Sequence, residues 1–200
     1  KYSSKSRKLA HYAKAACDIQ YDFPMGWSEL NGIHNRTDYD LSRHQEYSGK
    51  SMTYVDPVTQ ERYIPYVIEY SIGADRLMLA TLSEAYDEET LENGEVRNVM
   101  RFHPAIAAYK AAVLPLQKGL APQAKELLQK LKKRFLVTYD EAGSIGKRYR
   151  RQDEIGTPYC LTVDFDTLQD GTVTVRDRDT MEQVRMTADE VVAFLTEKCA

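Results

Sequence analysis

No stretch of the sequence approaches about 18 uncharged apolar residues, so nothing in it reads as a membrane span. No apolar signal-peptide core follows the basic, Ser-rich start from Lys1 to Lys8. Cysteine is scarce: Cys17, Cys160 and Cys199 are an odd number, and no two have close metal-ligand spacing. This argues against a disulfide scaffold and a zinc site, and for a reducing, cytoplasmic setting. Net charge is also small, at -3 from 27 basic and 30 acidic residues. A polycation that coats nucleic acid by bulk charge is therefore disfavoured, whereas a local basic patch is not. There is no internal repeat, and the absence of a leading Met reads as a piece of a longer protein.

What is present suffices for folding. The 200 residues are 42% apolar and 28% charged, enough for one large domain or two small ones. Helical spacing of Leu9, Tyr12, Ala13, Ala16 and Cys17 predicts a helix over Ser6–Asp18. A strand is expected over Gly26–Ile33 and a helix over Thr37–Gln45, capped by Thr37 or Asp38. Ser51–Tyr54 and Arg62–Glu69 read as strands joined by a turn, and the apolar run Tyr63–Ile68 as covered on both faces. Ala74–Tyr86 reads as a helix, acidic Asp87–Val99 as a surface loop and Phe102–Ala107 as a linker. Strands at 112–116, 135–139, 159–165 and 172–176 then alternate with helices at 122–134, 144–155 and 187–199. That order predicts an α/β unit with a mixed sheet of about five strands. Asp170-Gly171 signals a hairpin, and Thr187 with Glu190 forms a capping box.

Four segments could carry chemistry. In Glu69–Arg76 a strand brings a carboxylate and the Ser71 hydroxyl to one face, then Gly73 turns into a helix start with Arg76 in its first turn. Free amides and a forked cation there suit an anion, next to a site for an amine. In Gly26–Ile33 a lone Glu29 between apolar strand neighbours needs a partner or solvent. Gly143–Arg151 sets two glycines and four cations around Tyr149, which suits a phosphodiester backbone. Arg176–Asp179 alternates charges of the kind that read unpaired base edges. Each also has a plainer reading: a solvated strand end, an exposed strand acid, a helix face paired with Asp153 and Glu154, and a self-neutralising surface network. His34 and His44 are more readily structural than metal ligands.

The longer strings narrow these readings. Gly-Trp-Ser-Glu-Leu-Asn-Gly-Ile (26–33), Arg-Thr-Asp-Tyr-Asp-Leu (36–41), Tyr-Ile-Pro-Tyr-Val-Ile-Glu (63–69) and Gly-Ala-Asp-Arg (73–76) resemble the glycyl-tRNA synthetases, class II aminoacyl-tRNA synthetases of the homodimeric type. The strings at 143–158 and 175–184 extend the resemblance nearly end to end. It implies an α+β first part, residues 1–100, as the C-terminal portion of an antiparallel-sheet catalytic domain ending in the third class motif, Ile72–Leu79. It implies an α/β anticodon-binding domain over 103–200. The first two class motifs would lie upstream, so this piece is expected to be inactive alone.

The resemblance also implies roles. Glycine would be held by Glu29, Glu69, Tyr70, Ser71, Ile72 and Gly73, and ATP by Glu29, Leu30, Gly73, Ala74, Asp75 and Arg76. Arg76 and Glu69 would be the catalytic pair, with magnesium on the ATP phosphates and no metal site in the chain. Glycine attacks the α-phosphate, and a terminal ribose hydroxyl of the glycine tRNA then takes the glycyl group. A carboxylate-rich pocket holds the ammonium, and crowding where a Cβ would stand rejects alanine. Arg148, Arg151, Arg176, Asp177 and Arg178 are the expected anticodon contacts. Tyr70 and Ala108 stand where the family often has Pro. Partners would be tRNA, glycine, ATP and a second copy of the full protein, in the cytoplasm. The alternative is a non-catalytic RNA-binding or accessory protein of the same architecture.

Overall fold

In the computed structural model residues 2, 3 and 9–200 are described. The chain divides into two compact units, Lys1–Ser83 and Glu84–Ala200. This division falls before the expected 100/103 boundary, because residues 86–100 fold as part of the second unit.

In the first unit β1 (Tyr2–Ser3), β2 (Ala15–Phe23) and β3 (Gly26–Asn35) are followed by helix α1 (Tyr39–Ser48). A two-residue ribbon, β4 (Tyr54–Val55) and β5 (Arg62–Tyr63), leads to β6 (Ile68–Ile72) and helix α2 (Ala74–Ala85). The sheet is antiparallel in the order β1-β2-β3-β6. The helix expected over Ser6–Asp18 is corrected. Residues 6–8, like most of the basic start, lie outside the described residues, and from Ala15 on the chain is strand. Cys17, Ile19, Tyr21 and Phe23 alternate with Asp18, Gln20 and Asp22, a period of two that the helical spacing of small residues obscured. The run Tyr63–Ile68 is not covered on both faces either, since Tyr63, Tyr66 and Ile68 are exposed and β6 is an edge strand. Asp38 precedes α1, but its side chain makes no capping bond.

In the second unit the acidic segment expected as a loop is a hairpin, β7 (Tyr86–Thr90) and β8 (Val96–Met100), with Arg97 and Val99 buried. The main sheet has five strands in the order β10-β9-β11-β12-β13. These are β9 (Ala111–Pro115), β10 (Val137–Tyr139), β11 (Tyr159–Val163), β12 (Thr172–Asp177) and β13 (Gln183–Thr187). β10, β9 and β11 run parallel, and β12 and β13 are added antiparallel. Helix α3 (Ala121–Leu131) follows a single 3-10 turn at Lys118–Leu120, and α4 (Ile145–Ile155), the short α5 (Thr167–Asp170) and α6 (Ala188–Lys198) complete the unit. The mixed five-strand sheet is the one expected, although β13 was not read from the sequence. Leu127 and Leu131 of α3 and Val191 and Leu195 of α6 pack with Val113, Leu161 and Val175 of the sheet. On the other face Ala112, Leu114 and Cys160 meet Ile145 and Tyr149 of α4. Strands covered twice are largely apolar, as β9 and, Thr162 apart, β11 are. The Thr187–Glu190 capping box is formed in full.

Candidate functional site

In the first unit the geometry centres on β3. Its register with β2 shifts where Ile19 faces Asn31 and Gln20 faces Glu29, so Leu30 is an extra residue. A bulge of this kind re-aims the side chain beyond it. Glu29 is thereby turned to the face that carries Gly32, whose cross-strand partner is Ser71. A Cβ added to Gly32 would lie 3.5 Å from Glu29 Oε1, 3.5 Å from Ser71 Oγ and 3.0 Å from His34 Cε1. An acid, a hydroxyl and an imidazole thus converge on a buried spot that a glycine leaves bare.

Glu69 stands opposite His34 on the same face. Its Oε2 accepts from Arg36 Nη1 at 2.6 Å, and Arg36 also binds Asp40 through Nε at 2.6 Å and Nη2 at 3.0 Å. Hydrogen bonding to Asp40, then to Glu69, raises the Arg36 pKa above its ordinary value, and the bond from Arg36 lowers that of Asp40. The Arg36 guanidinium also lies 4.3 Å from the centroid of the Tyr12 ring. Glu69 is therefore oriented before any ligand arrives.

Arg76 reaches back from α2 to β3, donating to Ser28 Oγ at 2.9 Å and to the Glu29 carbonyl. By strand rise the Glu69 and Arg76 ends are roughly 15 Å apart along β3. The helix between them opens with the bond from Leu77 N to Gly73 O, so the amides of Ala74, Asp75 and Arg76 lack intrahelical partners. Of the expected residues, Glu29, Glu69 and Ser71 share one face. Tyr70 and Ile72 point to the opposite face and are exposed. Sequence reasoning missed Gly32 and His34 at this spot, although the bare glycine inside a strand was the available signal.

In the second unit the expected anticodon residues are engaged within the fold. Arg148 is buried and donates to the carbonyls of Pro115, Ala142 and Gly143. Arg176 is buried and binds Asp153 through Nη1 at 2.9 Å and Nη2 at 3.2 Å. Arg178 is buried and donates to the Gly156 and Phe102 carbonyls and to Asp179. Arg151 binds Asp140 at 2.6 Å, and Asp177 Oδ1 accepts from the amides of Asp179 and Thr180. What faces outward is a cavity of about 360 Å³ lined by Glu95, Lys147, Tyr149, Arg150, Arg176 and Met181. The Arg176 guanidinium lies 4.8 Å from the Tyr149 ring centroid. Lys147 and Arg150 were part of the basic string but were not singled out. The helical period was the signal: it turns Arg148 inward with Ile145, Tyr149 and Gln152.

Residues 110–198 match the family described as the anticodon binding domain. The chain is 61% identical over 194 residues to the glycine–tRNA ligase of Clostridium kluyveri, covering 97% of this chain and 42% of that protein. It is 63% identical over 193 residues to the glycine–tRNA ligase of Geobacillus kaustophilus, covering 96% and 42%. The chain is a relative of the glycine–tRNA ligases. It spans 42% of the length of these two ligases. In fold it is similar to the RNA binding domain of threonyl-tRNA synthetase from Cryptosporidium parvum Iowa II, with a TM-score of 0.68 and 19% identity over 92% of this chain and 42% of that one. Among the described residues no helix is long and apolar enough to cross a membrane.

Proposed function

We propose that the chain forms part of a cytoplasmic, homodimeric glycine–tRNA ligase, joining glycine to its tRNA at the expense of ATP. The observation that carries this reading is the convergence of Glu29 Oε1 and Ser71 Oγ on the bare Cα of Gly32, with Glu69 pre-oriented by Arg36 on the same face. Glycine offers an ammonium, a carboxylate and no side chain. Two carboxylates and a hydroxyl suit the ammonium through charge-assisted hydrogen bonds. Alanine differs from glycine by one methyl group, which such a pocket has to exclude by contact.

ATP is assigned to the other end of the same strand. There Arg76 and the first amides of α2 present positive charge to its phosphates, with magnesium carried on ATP as part of the substrate. The glycine carboxylate then displaces pyrophosphate at the α-phosphate, and the ribose hydroxyl of the tRNA displaces adenylate. These residues act by holding and orienting the reactants and by neutralising charge. In the second unit Lys147, Arg150 and Arg176 around Tyr149 supply cations and an aromatic face for the anticodon nucleotides. Arg148 and Arg178 support that surface from within, while Arg151 and Asp177 are tied to Asp140 and to the amides of Asp179 and Thr180.

The test is glycine-dependent exchange of pyrophosphate into ATP by the full-length protein carrying this chain. Glu69→Gln keeps the shape but removes the charge that meets the ammonium. It should raise KM for glycine about 10- to 100-fold, with KM for ATP nearly unchanged. Exchange that proceeds equally well without glycine would defeat the ligase reading. No exchange, with retained tRNA binding, would favour the accessory RNA-binding protein.

A further inference from the structure

The acidic hairpin and the basic cavity of the second unit meet at one residue. Glu95, immediately ahead of β8, lies two residues from Arg97 and so shares a strand face with it. On α4, Arg150 and Asp153 are three residues apart and share a helix face. The two pairs match with charges reversed. Arg97, fully buried, donates from Nε to Asp153 Oδ2 at 2.9 Å and from Nη1 to Glu89 at 2.6 Å. That anchor fixes the hairpin on the helix, and one helical turn away Glu95 Oε2 stands 4.0 Å from Arg150 Nη2. The Glu95 backbone is pinned as well: its N–H donates to Asn93 Oδ1 at 3.0 Å, and its carbonyl accepts from Leu91 N–H at 2.9 Å.

A carboxylate therefore stands at the wall of a cavity whose other charged groups are Lys147, Arg150 and Arg176. The side chain is 70% exposed, and an ion pair so open adds little to stability. On a surface that only had to hold phosphates, an acid here would weaken every contact. It is the right group to accept from an N–H on a base edge, beside an arginine that donates to the neighbouring acceptor. We infer that Glu95 is a specificity-determining residue for unpaired bases at this cavity. It repels any phosphate near Arg150 and Lys147, and it favours an RNA whose base presents an N–H donor to its carboxylate. The inference rests on the anticodon-binding reading above.

The test titrates the 200-residue chain into two labelled RNAs and follows fluorescence anisotropy. One is the anticodon stem-loop of a glycine tRNA, and the other is the same stem-loop with its anticodon bases scrambled. The unsubstituted chain should prefer the first. Glu95→Ala should bind the scrambled RNA more tightly and the matched RNA no more tightly, reducing the preference about tenfold. Glu92→Gln, a charge change on the same hairpin tip away from this cavity, should shift both RNAs alike and leave the preference intact. If the unsubstituted chain discriminates while Glu95→Ala tightens both RNAs by one factor, Glu95 only screens charge and the inference is wrong. If the unsubstituted chain fails to distinguish the two RNAs, the anticodon reading itself fails, and this inference with it.

Discussion

Asp153 is the residue on which most of the second unit's buried charge depends. It is fully buried on α4 and accepts from Arg97 on the hairpin and from Arg176 on β12. Both arginines are themselves buried; without Asp153, Arg97 keeps Glu89, while Arg176 loses the carboxylate that it binds. Replacing one partner of a buried ion pair is far costlier than removing both, because the remaining charge is stranded. Asp153→Asn should therefore lower stability by about 3 kcal/mol in urea denaturation. It should also loosen Arg176 at the cavity wall and weaken the RNA binding proposed there. A loss under about 1 kcal/mol would mean that the arginines find other partners.

Elements are tied together by polar clusters as well as by the apolar core, and Asp164 is the clearest case. It lies just past β11 and accepts from Arg185 on β13 at 2.8 and 3.2 Å, from Thr174 on β12 at 3.2 Å, and from Thr167 at the start of α5 at 3.1 Å. Burial alone would raise its pKa. Hydrogen bonds from Arg185 and Thr167 outweigh that and hold it at about 2, below its ordinary 3.8. A carboxylate whose pKa is lower in the folded chain stabilises the fold above its unfolded pKa and loses that contribution as pH falls through the folded value. Asp164→Asn should thus cost about 1 kcal/mol at neutral pH, with the difference shrinking below pH 3.8 and gone only below pH 2 in thermal melts across pH. The same kind of pairing explains what the sequence concealed. β9 and β11 were legible because burial on both faces demands a largely apolar run. The hairpin was not, because Arg97 reads as a surface charge until Asp153, 56 residues later, is placed against it. For the same reason Arg148 and Arg178 looked available for RNA while their donors were committed to backbone carbonyls. At the candidate site Glu69 and Ser71 were legible from strand alternation alone. The turning of Glu29 onto their face depends on the bulge at Leu30, which no local spacing announces.

On the scale of the whole chain, the two units differ in how much they bury. Both apolar core clusters lie in residues 84–200. Among the described residues of the first unit, Phe23 and Ala80 are the buried apolar side chains, while Ile68, Tyr70, Ile72 and Met78 are exposed. Asn31 is buried there with neither end of its amide bonded, a further cost of about 1–3 kcal/mol. Hydrophobic burial supplies most folding free energy, at about 25 cal/mol per Å². The first unit of this 200-residue chain should therefore open more readily than the second. Hydrogen exchange should show the amides of β9 and β11 as the slowest in the chain, with those of β2, β3 and β6 exchanging at least tenfold faster, the ratio given by about 1.4 kcal/mol of opening free energy. Limited proteolysis should cut within residues 1–83 first and leave a resistant product close to 84–200. Equal protection of β3 and β9 would show that β3 is rigid on the strength of this chain alone. The side chains gathered at Gly32 would then be fixed without further covering, and the orientation of Glu69 by Arg36 would be the expression of a sheet already at its final stiffness.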